Sequence, residues 1–138
     1  MKQFHLHLVS DSTGETVSSV SRAALAQFED IDADEHIWSL VRTKAQMERV
    51  IAGIRANPGI VLYTIVDKSL RDILKAECKR LNLPCMSVIA RVLSEMMAYL
   101  QTETSNMPGR QHEMTEEYFS RVDAINYALA HDDGQAHS

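Results

Sequence analysis

The sequence is poor in the features that mark several large classes of protein. Its 138 residues hold only two cysteines, three prolines and five glycines. Cys78 and Cys85, seven residues apart, match neither a CxxC redox pair nor a zinc half-site, and one pair makes no disulfide framework. Both are expected to be reduced core residues. No run approaches the roughly 20 apolar residues needed to cross a bilayer, and Met1-Lys2-Gln3-Phe4-His5-Leu6-His7 lacks the apolar region of a signal peptide. A soluble cytoplasmic protein with no membrane partner is therefore expected. Fourteen Lys and Arg face 19 Asp and Glu, a net charge of −5, and no basic stripe is present to follow a phosphodiester backbone. Nucleic acid is excluded as the expected partner. The GxGxxG, GxxxxGK[ST], HExxH and GxSxG patterns are absent as well.

What is present is enough apolar residue for a core. At 45% hydrophobic and 24% charged, the chain fits one compact domain. Phe4 to Val9, His36 to Val41, Gly59 to Val66 and Cys85 to Ile89 are apolar runs of strand length, each followed by a segment of helical periodicity. Val17, Val20, Ala24 and Phe28 mark the first helix, and Met47, Val50, Ile51 and Ile54 the second. Leu70, Ile73, Leu74, Cys78 and Leu81 mark the third, and Val92, Leu93, Met96, Met97 and Leu100 the fourth. Thr43 with Gln46 reads as a capping box, Asp67 as an N-cap, and Asn57-Pro58-Gly59 as a stop before the third strand. Repeated β–α units of this spacing predict a parallel sheet with crossover helices on both faces. The expected fold is a three-layer α/β domain with a mainly parallel sheet of about four strands, flavodoxin-like or Rossmann-like.

Beyond the fourth helix, Gln101 to Gln111 reads as a loop. A further helix is expected from Thr115, with Tyr118, Phe119, Val122, Ile125 and Leu129 on one side. The α/β domain is expected to span 1–130, with 131–138 an exposed tail or linker.

Residues 8–16, "LVSDSTGET", run from a strand through hydroxyls, an acid and a glycine into a helix. In open α/β sheets ligands bind beyond the carboxyl ends of the strands, where helix amides and a glycine make a phosphate cradle. Ser12, Thr13, Gly14 and Thr16 supply those ingredients, and Asp11 sits beside them. A second reading stands alongside: Ser12 and Glu15 form a capping box that needs no ligand. Asp11 and Glu15 would repel a bare phosphate unless Mg2+ or a basic side chain intervened. Arg42, Lys44, Asp67 and Arg91 are expected at the same edge, with Arg42 the best phosphate ligand through bidentate bonding. The alternative is that these residues cap helices and pair with one another. His5 and His7 share one face of the first strand and His36 opens the second, yet no ligand spacing supports a metal, and satisfied or half-buried histidines are expected instead. His112, His131, Asp132 and Asp133 match no recognised geometry.

The succession "FHLHLVSDSTGET", "RAALAQF", "PGIVLYTIVD", "LRDILKAECKRLNLPC", "PGRQH" and "EYFSRVDAINYALAHDDGQ" runs in order from residue 4 to 135. It resembles the bacterial pyruvate, phosphate dikinase regulatory proteins, a kinase/pyrophosphorylase family shared with the phosphoenolpyruvate synthase regulatory proteins. The resemblance implies a phosphotransferase that phosphorylates a threonine of the dikinase with ADP as donor. It also implies removal of that phosphate by inorganic phosphate, with release of pyrophosphate. Members of that family hold nucleotide in a second half with a Gly-Ser-Lys-Thr-rich phosphate loop, and nothing in residues 1–138 resembles it. The expectation is thus an N-terminal domain, inactive alone, whose intact protein uses ADP or ATP and phosphate, with Mg2+ as an accompanying ion. Expected partners are pyruvate, phosphate dikinase, toward which "SDSTGET" leans, or phosphoenolpyruvate synthase, and a second copy in a homodimer. A target-binding module and a dimerisation surface remain as alternative roles for the domain.

Overall fold

The computed structural model describes residues 1–104. In chain order the elements are β1 (Lys2–Ser10), α1 (Glu15–Leu25), β2 (Ile31–Trp38), α2 (Lys44–Ala56), β3 (Gly59–Thr64), α3 (Lys68–Arg80), β4 (Cys85–Ser87) and α4 (Ala90–Leu100). The four strands are parallel throughout and lie in the order β2-β1-β3-β4. The chain steps from β1 outward to β2 and then crosses back over β1 to β3. Strand order therefore reverses between β1 and β3, the position where open α/β sheets carry their ligands. The three-layer α/β expectation holds.

Alternation along β1 divides the core. Phe4, Leu6 and Leu8 pack with Val17 and Leu25 of α1 and with Ile60 and Leu62 of β3. Val9 points the other way, into a larger cluster of Met47, Val50, Ile51 and Ile54 from α2 and Leu70, Leu74 and Cys78 from α3. Because the central strand is covered on both sides, Leu6 through Ser10 are all buried. α2 starts at the expected box: Thr43 Oγ1 accepts from the Gln46 amide, and Gln46 Oε1 accepts from the Thr43 amide. α3 starts at Asp67, whose carboxylate accepts from the Leu70 amide. Gly59 is required by packing, since a Cβ there would collide with the backbone carbonyl of His5 on β1.

Several boundaries differ from the sequence reading. β2 begins at Ile31 and not at His36, because an edge strand tolerates the acids of Ile31-Asp32-Ala33-Asp34-Glu35 that break an apolar run. It ends at Trp38, since Leu40 turns the backbone left-handed at φ 57°. β3 stops at Thr64 and β4 at Ser87, short of the Val66 and Ile89 expected. On α1 the buried face is Val17, Ser18 and Ser21, whereas Val20 is 40% exposed, and the helix ends at Leu25, leaving Phe28 beyond it and 64% exposed. Cys78 is buried, Cys85 half-buried, and both are free thiols. The expected loop beyond Thr104, the helix from Thr115 and the tail at 131–138 lie outside the described residues.

Candidate functional site at the carboxyl edge of the sheet

The loop after β1 is held from both sides. The Asp11 amide donates to the Thr64 carbonyl at 3.1 Å, and Asp11 Oδ2 accepts from the Val66 amide at 2.9 Å. These bonds tie it to the end of β3 across the reversal of strand order. On the other side the Leu40 amide donates to the Ser12 carbonyl and the Val41 amide to the Ser10 carbonyl, both at 2.9 Å. Arg42 completes the clamp, its Nε donating to the Asp11 carbonyl at 2.7 Å. Asp11 is only 4% exposed, so this acid is a tether within the fold more than a surface charge.

The clamp positions the start of α1. Gly14 occupies the N-cap at φ 91°, a left-handed conformation that glycine adopts without cost, and the Ser18 amide donates to its carbonyl at 3.0 Å. No side chain caps this helix. The expected Ser12–Glu15 capping box is therefore absent, and the reason is geometric: the turn at Gly14 starts the helix after Ser12, whose amide donates instead to Ser10 Oγ at 3.0 Å. The first-turn amides carry the positive end of the helix dipole, with no side-chain cap hydrogen bond among the described residues. Thr13 is exposed beside this turn, Ser12 and Thr16 are half-buried, and Gly14 is buried.

Charge at the edge is unevenly committed. Arg42 is exposed, and among the described residues its Nη groups have no hydrogen-bond or ion-pair partner, which leaves the forked end of the guanidinium available to an oxyanion. The Arg42 backbone amide is anchored by Gln46 Oε1 at 2.7 Å, so the capping box of α2 also aims this residue. Asp67 is half-buried in the neighbouring loop and occupied: its Oδ1 takes hydrogen bonds from Ser69 Oγ at 2.6 Å and the Leu70 amide at 3.1 Å. Those bonds, the Ser69 hydroxyl first, hold its carboxyl below the usual aspartate range. Lys44 is exposed at the first residue of α2. Arg91 is not brought to the site; it pairs with Glu95 at 3.1 Å on α4, beyond edge strand β4 and separated from β1 by β3. The structure thus gathers Asp11, Ser12, Thr13, Gly14, Thr16 and Arg42, with Asp67 in the adjoining loop. Sequence reasoning missed the Val66 amide and the Leu40–Val41 backbone, which carry no side-chain signal.

The site lies at the reversal of strand order, where open α/β sheets carry their ligands. The family model described as kinase/pyrophosphorylase matches residues 6–138. The chain belongs to this kinase/pyrophosphorylase family. Relatives named as pyruvate, phosphate dikinase regulatory proteins include one from Paramagnetospirillum magneticum, 52% identical over 135 residues, covering 98% of this chain and 43% of the relative. The protein of that name from Rhodospirillum rubrum is 47% identical over 136 residues, covering 99% of this chain and 50% of its own length. A third, from Chelativorans sp., is 50% identical over 132 residues, covering 96% and 48%. The chain spans about half the length of the curated relatives it matches. None of the described helices is long and apolar enough to cross a membrane.

Proposed function

We propose that the edge formed by Asp11, Ser12, Thr13, Gly14, Thr16, Arg42 and Asp67 supplies part of the phosphoryl-transfer site of a bifunctional serine/threonine kinase and phosphorylase acting on pyruvate, phosphate dikinase. In one direction a phosphoryl group moves from ADP to a threonine hydroxyl, leaving AMP and a proton. In the other, inorganic phosphate takes the group from phosphothreonine, releasing pyrophosphate and restoring the hydroxyl. Both steps move the same charged group, so positioning and charge neutralisation carry most of the catalysis. The observation that carries this reading is the Arg42 fork, without a partner among the described residues, next to a first turn of α1 that no described side chain caps. Asp11 acts by holding the loop, its buried carboxylate accepting from the Val66 amide, and the Arg42 guanidinium on its carbonyl offsets its charge toward an anion. Mg2+, where it accompanies the nucleotide, supplies further charge neutralisation.

The test uses the longer protein of the family and follows both transfers on the dikinase. Arg42→Ala is expected to lower both rates by on the order of 10²-fold, the loss typical of one preorganised donor to a developing oxyanion. Unchanged rates in both directions would overturn the assignment. The exposed Val92, Met96 and Leu100 of α4 favour a second reading, a target-binding or dimerisation module without catalytic contacts. Unchanged rates for Arg42→Ala, joined to lost dikinase binding in Met96→Asp, would select it.

A further inference from the structure

Away from the carboxyl edge, the α2 side of the sheet carries a row of ring side chains. In register, His5 lies opposite Asp34 and His7 opposite His36 across the β1–β2 pair. His7 is fully buried and both of its nitrogens are spoken for: Trp38 Nε1, a donor only, bonds Nδ1 at 3.1 Å, so the proton sits on Nε2, which donates to the Asn57 carbonyl at 2.8 Å. The His36 ring stacks on His7 with centroids 4.6 Å apart. His36 Nε2 then comes to 3.0 Å from His5 Nδ1, and Asp34 Oδ2 lies 3.5 Å from His5 Nδ1 and 3.9 Å from His36 Nε2.

We propose that His5 Nδ1, His36 Nε2 and Asp34 Oδ2 form a binding site for a divalent cation of the Zn2+ class. Ligands at 2.0–2.2 Å in a tetrahedron stand roughly 3.3–3.6 Å apart, and the three separations observed bracket that value. All three ligand atoms lie within 4.8 Å of one another. Two imidazoles and one carboxylate suit zinc, cobalt or nickel and do not suit the all-oxygen shells of Mg2+ or Ca2+. The ligands stand on paired strands, and the His36 ring rests on a histidine fixed from two sides, so little ordering is left for the metal to impose. Access is open: the side chains of His5, His36 and Asp34 are 34%, 24% and 68% exposed, which leaves the fourth position to water. His5 precedes Ser10 by five residues, roughly 17 Å along the strand, so this site is separate from the phosphate edge. Linear spacing hides it, because the two histidines meet only through strand pairing.

The experiment is a Co2+ titration of the 138-residue protein followed by its d–d absorption, with Zn2+ competition and 15N shifts of the histidine rings. The proposal predicts one ion per chain at these strands. The His5 and His36 ring nitrogens should shift strongly, with no thiolate charge-transfer band. His36→Gln is expected to weaken binding at least about 100-fold, and Asp34→Asn about 10-fold or more, the scale on which even supporting partners of a metal matter. Asp34 is the more exposed position, so Asp34→Asn keeps the test valid if His36→Gln loses its fold by circular dichroism. A protein that takes up no Co2+ would overturn the proposal and leave the trio as a hydrogen-bonded histidine pair with an acid beside it. So would variants that bind as the parent does, which would place the metal at His112, His131 or the thiols.

Discussion

The two faces of the sheet are built to different standards. On the α2/α3 side, Met47, Ile54, Leu74 and Cys78 are fully enclosed, and Trp38 lies flush against Gly53. On the α1 side, a cavity of about 790 Å³ opens between Met1, Phe4, Leu25, Phe28 and Ile60, and Phe28 remains 64% exposed. The closed face holds the larger buried cluster, and the candidate edge is anchored to it through Arg42 and Gln46 at the start of α2. The open face carries α1, whose first turn is the other half of that edge. The candidate edge thus joins a densely packed support on one side to a helix flanked by an open cavity on the other.

The contrast is most exposed to failure in the core. Leu74→Ala, at a site with no exposure, is expected to cost about 2–5 kcal/mol by denaturant unfolding, whereas Phe28→Ser on the open face should stay within about 0.5 kcal/mol. Equal costs would erase the distinction. Gly53→Ala comes next: its Cβ would run into the Trp38 ring, and overpacking of this kind costs about 1–3 kcal/mol. Trp38 is the only tryptophan, so its fluorescence should change with the loss. Caps give a smaller, sharper comparison. Asp67→Ala and Thr43→Ala should each cost about 1 kcal/mol, but Ser12→Ala should cost far less, because α1 takes no side-chain cap from it.

The smallest effect concerns pH. Glu77 on α3 bonds Arg55 of α2 at 2.8 Å and also pairs with Arg80, and these partners hold its carboxyl at about 2 against an ordinary 4.5. A carboxyl depressed in the folded state stabilises above its unfolded value and loses that contribution as pH falls from 4.5 toward 2. The difference in Tm between the parent and Glu77→Gln should therefore be constant above about pH 5 and shrink to a small fraction near pH 2. A difference undiminished at pH 2 would place the effect in packing and not in charge.

Much of the closed face was legible in the sequence, because Met47, Val50, Ile51 and Ile54 repeat at helical spacing and all four are buried. The caps at Thr43 and Asp67 were legible for the same reason: their partners lie three residues away in the chain. β2 was half hidden, since an edge strand carries acids that interrupt an apolar pattern. The face of α1 was legible only in part: Val17 is buried as its spacing suggests, but Ser18 and Ser21 take the other buried positions while Val20 is exposed. At the candidate edge, residue types pointed to Asp11, Gly14 and Arg42. The bonds that join them run through the Thr64, Val66 and Leu40 backbone, which no side-chain pattern reports. The His5–Asp34–His36 trio depends wholly on register between β1 and β2, a property of the folded sheet.

The most direct test of the account is an amide NMR titration of the 138-residue protein with inorganic phosphate and, separately, with Mg-ADP. The account predicts saturable shifts confined to Ser12, Thr13, Gly14, Thr16, Arg42 and Val66, and their loss in Arg42→Ala. Millimolar ligand that leaves those amides unmoved, or moves them equally in Arg42→Ala, would contradict it.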